Sequence, residues 1–162
     1  MLRLFMLVLL LGGCAAPYDY AEDTDFRRFE TVALAPEMEK TSLDGARIAA
    51  AAQALLPARG LTLTAPEQAS LWLNYRLDES VRLLTTMPSM FGHHDLWDEE
   101  RVYGARRERH LVLWLEQPGS GRVLWQSRHP NAFPGARVRG DARRDDIMQQ
   151  VEELLENYPP EP

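Results

Sequence analysis

Alternating apolar residues in the middle of the chain predict a β-strand with one buried face. Leu71, Leu73, Tyr75 and Leu77 are each separated by one residue, which is the period of two expected of a strand. Three further segments have the composition of strands, and they are residues 31–35, 110–116 and 122–127. A Pro-Gly-Ser-Gly turn separates the last two, which therefore predict a hairpin.

Two other segments carry apolar residues at helical spacing. The first follows Thr41-Ser42-Leu43-Asp44, which fits a capping box, and stops near Pro57 and Gly60. The second covers about residues 145–158. The order β-α-β-β-β-α predicts a two-layer α+β domain, with a mixed, mostly antiparallel sheet of about four strands and two helices on one face.

The first thirteen residues are typical of a signal peptide. Arg3 precedes an unbroken apolar run that is far shorter than the about 20 residues needed to span a membrane. The run ends in Leu11-Gly12-Gly13-Cys14, which resembles the lipobox of bacterial lipoproteins. We therefore expect cleavage between Gly13 and Cys14 and lipidation of Cys14; the alternative is a buried helix that happens to contain a cysteine. The expected organisation is residues 1–13 signal peptide, 14–17 lipidated tether and 18–162 a single periplasmic domain.

This organisation predicts that the protein is located in the cell envelope. Two or more acyl chains hold a protein stably on a bilayer, so the membrane is an expected partner through the lipid on Cys14. Ala15 follows the cysteine, and by resemblance to enterobacterial sorting this favours the outer membrane over the inner membrane. The formal net charge of −6 argues against general binding to a phosphate backbone, and we expect no nucleic-acid partner.

Few residues suggest catalysis. The chain has no Gly-x-Ser-x-Gly or His-Glu-x-x-His motif and no glycine-rich phosphate loop. His93, His94 and Asp95 are weak candidates for metal ligands, because adjacent histidines do not have the spacing of a metal site. We expect no metal and no cofactor other than the covalent lipid. An alternative hypothesis is a small metal-dependent or carboxylate-based hydrolase that uses the loop His93–Glu100.

The segment of residues 84–104 is long for a connection between strands and is rich in aromatic residues. It either binds a partner or folds back onto the sheet as core. On the first hypothesis the partner is an envelope protein, a glycan or a lipid. The candidate binding residues are Phe91, Trp97, Tyr103, Arg101, Arg106 and Arg107. A second arginine cluster, Arg137, Arg139, Arg143 and Arg144, is expected to be a solvated surface.

Several short motifs resemble the lipoproteins of domain-of-unknown-function family 4136. They are Asp19-Tyr20, Asp25-Phe26, Phe29-Glu30-Thr31-Val32-Ala33, Leu71-Trp72-Leu73-Asn74-Tyr75, Leu124-Trp125 and residues 147–159. The chain departs from the family pattern at Ala21, Leu34 and Ala69-Ser70. The resemblance covers nearly the whole mature chain and supplies no catalytic residue. The sequence therefore predicts a lipid-anchored envelope lipoprotein that is not an enzyme, with a binding or structural domain.

Overall fold

A computed structural model describes residues 17–85 and 102–160 of the protein. The described residues form six strands and two helices, interrupted by three short 3-10 turns. The strands are β1 Tyr18–Tyr20, β2 Thr31–Leu34, β3 Thr62–Leu63, β4 Leu71–Thr85, β5 Val102–Gln117 and β6 Arg122–Arg128. The helices are α1 Leu43–Leu55 and α2 Gly140–Leu155. In these two ranges no helix is long and apolar enough to cross a membrane.

The strands form one mixed sheet in the order β1-β6-β5-β4-β2-β3. β2 runs parallel to both of its neighbours, β3 and β4. The other pairs, β4 with β5, β5 with β6 and β6 with β1, are antiparallel. The chain passes through α1 between the parallel strands β2 and β4, as expected for a strand–helix–strand unit.

The core lies between one face of the sheet and the two helices. Leu111, Leu113 and Leu115 alternate along β5, and all three are fully buried. They belong to one apolar cluster with Ile48 of α1 and Ile147 of α2. Both helices therefore cover the same face, and the predicted two-layer α+β class is confirmed.

The start of α1 uses different residues from those that the capping-box pattern indicates. Ser42 is the N-cap, and its hydroxyl accepts a hydrogen bond from the Gly45 N–H at 2.9 Å. The carboxylate of Glu39 accepts from the backbone N–H groups of Thr41 and Ser42 at 2.7 and 2.8 Å. Asp44 does not turn back to the cap, because a more distant arginine binds its carboxylate, as described below.

The number of strands and the ends of three elements differ from the prediction. The sheet has six strands in the described residues instead of about four, because β1 and β3 have only three and two residues and are too short to have a recognisable period. β4 and β5 are longer than predicted, so that Leu84 and Gly104 belong to strands and not to a loop. The last helix begins at Gly140, five residues before the predicted start, and ends at Leu155.

Candidate functional site

The two longest strands continue beyond the rest of the sheet. β4 and β5 stay paired up to Thr85 and Val102. Their outer neighbours stop earlier, since β2 pairs with β4 only up to Leu73 and β6 pairs with β5 only from Val112 onward. The outer part of β4 and β5 is therefore a two-stranded ribbon.

The segment after β6 makes the last contacts before this ribbon stands alone. The His129 N–H donates to the Leu111 carbonyl at 2.8 Å, and the Phe133 N–H donates to the Arg109 carbonyl at 2.6 Å. Beyond these contacts, no third strand of the described ranges pairs with the ribbon. We call this ribbon, residues 80–85 and 102–108, the arm.

One face of the arm carries exposed apolar side chains. Val81 and Leu83 are 61% and 59% exposed, and they lie opposite Arg107 and Ala105 on the neighbouring strand. Side chains alternate along a strand, so both residues continue the face that carries the buried Leu73 nearer the centre of the sheet. The alternation of apolar residues along β4 thus continues beyond the core, and Val81 and Leu83 are largely exposed.

The other face of the arm brings two cations together. Arg82 lies directly opposite Arg106, and both residues are exposed. Arg106 lies 3.6 Å from the Glu108 carboxylate, whereas Arg82 has no ion pair with any residue that the structure describes. Like charges directly opposite each other destabilise a strand pair, and guanidinium groups bind carboxylate and phosphate oxygens well. The pair is therefore suited to an anionic partner.

The structure places only some of the predicted site residues. Arg106 and Arg107 lie on opposite faces of the arm and are exposed, and Tyr103 lies in β5. The others lie outside the described residues: Phe91, Trp97, Arg101, His93, His94, Asp95, Gly13 and Cys14. Sequence reasoning missed Val81, Arg82 and Leu83, although the alternation that begins at Leu71 continues through them.

The second arginine cluster is not a uniform solvated surface, and this prediction was wrong for one of its members. Arg143 is only 8% exposed. Its guanidinium binds the Asp44 carboxylate and donates to the Gly135 carbonyl at 2.6 Å. The hydrogen bonds from Arg143 hold the pKa of Asp44 below its usual range. Arg143 can be buried because the fold supplies hydrogen-bond acceptors for its guanidinium group.

A buried histidine meets a carboxylate near α2, but its geometry is that of a structural link. His129 Nε2 lies 2.8 Å from Glu153 Oε2. Its Nδ1 lies 3.2 Å from both the backbone N and the carbonyl O of Asn131. The hydrogen bond with His129 lowers the pKa of Glu153. His129 is buried, and its two ring nitrogens connect the end of β6 to the Asn131 backbone and to α2.

A cleft of about 870 Å³ lies between the segment after β1 and the residues after α2, and the rings of Tyr20, Phe26 and Tyr158 are among its lining. Tyr158 packs edge-on against Phe26 and Trp125, with ring centroids 5.9 and 5.7 Å apart. Its hydroxyl is buried without a hydrogen-bond partner in the described residues, and burial raises the pKa of Tyr158 to about 12. The rings join the segment after β1 to the end of α2, which stabilises the fold.

The described ranges contain no cluster of side chains that could form a metal site. No group of three or more His, Cys, Asp or Glu side chains lies close enough there to hold a metal ion. The weak metal candidates and the alternative catalytic loop, residues 93–100, lie outside these ranges.

The fold is similar to that of solved structures of low sequence identity. One is a PDZ domain protein from Parabacteroides distasonis ATCC 8503, with 14% identity and a TM-score of 0.58, covering 92% of this chain and 36% of that one. Our chain thus spans about a third of that protein. Two structures of the PelC dodecamer from Paraburkholderia phytofirmans match at 12% identity and a TM-score of 0.46, covering 86% of this chain and 94% or 95% of theirs. The likeness to the first of these structures concerns the fold alone.

Comparison with protein families gives a more specific result. No curated protein matches the chain. The model of a domain of unknown function, DUF4136, matches residues 16–160. This range covers all six strands and both helices, and the resemblance based on short motifs is confirmed. The chain therefore belongs to the DUF4136 family.

Proposed function

We propose that the protein is a lipid-anchored component of the bacterial cell envelope, held by Cys14 on the periplasmic face of the outer membrane. The observation that carries this proposal is the position of the first described strand relative to the lipobox. The Pro17 carbonyl accepts a hydrogen bond from the Arg128 N–H at 3.0 Å, and β1 begins at Tyr18. The first described strand thus begins four residues after the cysteine of the lipobox, a spacing that suits a lipoprotein with a short tether.

We further propose that the domain acts by binding and not by catalysis. The arm presents exposed Val81 and Leu83 on one face and the Arg82–Arg106 pair on the other. Apolar groups beside cations are typical of a surface that contacts another molecule. The buried His129 links the end of β6 to Glu153 of α2, which suits a structural role for that pair.

The lipid anchor can be tested by metabolic labelling. The full chain is expressed in a bacterium with a labelled fatty acid and compared with Cys14→Ser. We expect label only in the wild type and accumulation of the uncleaved precursor in the variant, because the thiol is the group that receives the diacylglyceryl unit. A matched control, Cys14→Ser with Ser120→Cys, moves the single thiol to an exposed turn and should stay unlabelled. Equal labelling of wild type and Cys14→Ser would contradict the proposal.

A further inference from the structure

The start of β1 and the start of the arm lie at the same end of the sheet. Pro17 lies beside Arg128 at the end of β6, and Arg128 pairs with Val112 of β5, which pairs with Arg76 of β4. From this level β4 runs on into the arm. β1 is antiparallel to β6, so Tyr18 lies at the end of β1 that is nearer the arm and farther from the β5–β6 turn.

The arm is longer than the tether can be. The arm runs from Ser80 to Thr85 on β4, a length of roughly 17 Å at about 3.3 Å per residue. Cys14 precedes Pro17 by three residues, which span at most about 11 Å when fully extended. A bilayer that holds lipidated Cys14 is therefore closer to the body of the sheet than the arm is long. The arm extends from the end of the sheet where Pro17 lies and is long enough to reach that bilayer.

The side chains of the arm suit that position. Val81 and Leu83 can enter the boundary between headgroups and acyl chains, where exposed apolar side chains are stabilised. The guanidinium groups of Arg82, Arg106 and Arg107 can bind lipid phosphates, and each cation near an anionic surface adds to the attraction. A phosphate between Arg82 and Arg106 would also relieve the repulsion of two like charges that the strand register places opposite each other.

We infer that the arm is a membrane-contact element that binds anionic phospholipid headgroups on the bilayer to which Cys14 is anchored. The inference rests on the proposed lipid anchor and adds the partner of the arm. In this arrangement the arm fixes the orientation of the domain. The β5–β6 turn, at the opposite end of the sheet, faces away from the membrane.

A fluorescent probe on the arm tests the inference in the intact lipidated protein. Lipidation consumes the single native cysteine, so Leu83→Cys provides one free thiol for an environment-sensitive nitrobenzoxadiazole label. The matched control is Ser120→Cys, an exposed position on the β5–β6 turn. Each labelled protein is reconstituted into vesicles of phosphatidylcholine with or without phosphatidylglycerol. We expect emission at position 83 to rise and shift to shorter wavelength with phosphatidylglycerol, whereas emission at position 120 should not change.

Charge-reversal variants distinguish direct contact between the arm and anionic headgroups from mere proximity of the arm to the bilayer. Arg82→Glu/Arg106→Glu in the Leu83→Cys protein should abolish the blue shift. The control Arg27→Glu/Arg28→Glu changes the same charge at exposed positions beyond the opposite end of β1 and should keep it. Fatty-acid label on Cys14 with equal emission at positions 83 and 120 would overturn the arm inference alone. Absence of fatty-acid label would overturn the lipid anchor, and with it the length argument, so the two failures are distinguishable.

Discussion

The guanidinium of Arg143 meets the carboxylate of Asp44 through two parallel hydrogen bonds. The Nε–Oδ1 distance is 2.7 Å and the Nη2–Oδ2 distance is 2.6 Å. Arg143 lies in the first turn of α2 and Asp44 in the first turn of α1, so a pair 99 residues apart in sequence ties together the starts of the two helices. Fork-to-fork pairs of this kind are among the stronger polar interactions in proteins.

Loss of this fork should destabilise the domain. Lysine keeps the charge of Arg143 but cannot make two parallel bonds, so we expect Arg143→Lys to lower the free energy of unfolding by about 2–3 kcal/mol, in the range of hydrogen bonds to charged groups. The matched control is Arg144→Lys, since Arg144 is exposed and, among the described residues, bonds only to the exposed Asp141; its effect should stay within about 0.5 kcal/mol. Urea unfolding measures the free energy of unfolding of both variants, and equal effects would contradict a stabilising role of the Arg143–Asp44 pair.

The same pair predicts a pH dependence. Hydrogen bonds from Arg143 hold the pKa of Asp44 below its ordinary value of 3.8 in the folded protein, although desolvation opposes them. The folded state therefore binds fewer protons at this group than the unfolded chain does. Its stabilisation is fully present above pH 3.8 and is lost as the pH falls through the lower folded value. We expect the difference in unfolding free energy between wild type and Asp44→Asn to shrink only below that pH; a difference that shrinks near neutrality would be inconsistent.

Gly45 occupies a place where alanine should be harmful despite its better helix propensity. A Cβ atom there would contact the Glu39 Oε2 and would lie 2.6 Å from the Glu39 carbonyl O and 2.8 Å from the Tyr75 hydroxyl. Gly45→Ala must displace the Glu39 turn that caps α1, and we expect a loss of about 1–3 kcal/mol. Gly135→Ala is the control, because nothing lies within 4 Å of the position that its new methyl group would take. Thermal unfolding of both proteins should separate them clearly.

Truncation of two tryptophans should affect the stability of the domain to very different extents. Trp125 is fully buried, and Trp125→Ala should cost about 3–5 kcal/mol. Trp97 is outside the described residues, and the sequence hypothesis makes it a partner anchor, so Trp97→Ala should change stability by less than about 0.5 kcal/mol. Chemical unfolding of the two variants measures this. A loss at Trp97 as large as that at Trp125 would favour the alternative in which the segment packs as core.

The domain should fold without a metal ion. The motive is the absence of a cluster of ligands in the described ranges together with a core that links both helices to the sheet. We expect a chelator to leave the thermal midpoint unchanged. A bound metal would stabilise the folded state in proportion to its affinity, so a large fall in the midpoint on chelation would mean that a metal is structural.

The order of the main elements could be predicted because each of them repeats its period within a short stretch of sequence. Leu71, Leu73 and Leu77 mark a strand and Ile147, Val151 and Leu154 mark a helix without any knowledge of their neighbours. The family resemblance was likewise local, since it rested on short motifs that the family match over residues 16–160 confirms. β1 and β3 were missed because strands of three and two residues contain no full repeat.

What only the tertiary structure decided is which residues of a given pattern are covered. Val81 and Leu83 have the spacing of buried strand residues, yet they are exposed. Arg143 lies next to Arg144, but only Arg143 is buried, because Asp44 and the Gly135 carbonyl accept from it. A period along the chain fixes the direction of a side chain relative to its own strand or helix. It does not say which distant segment covers that direction, and burial, pairing and exposure depend on that segment.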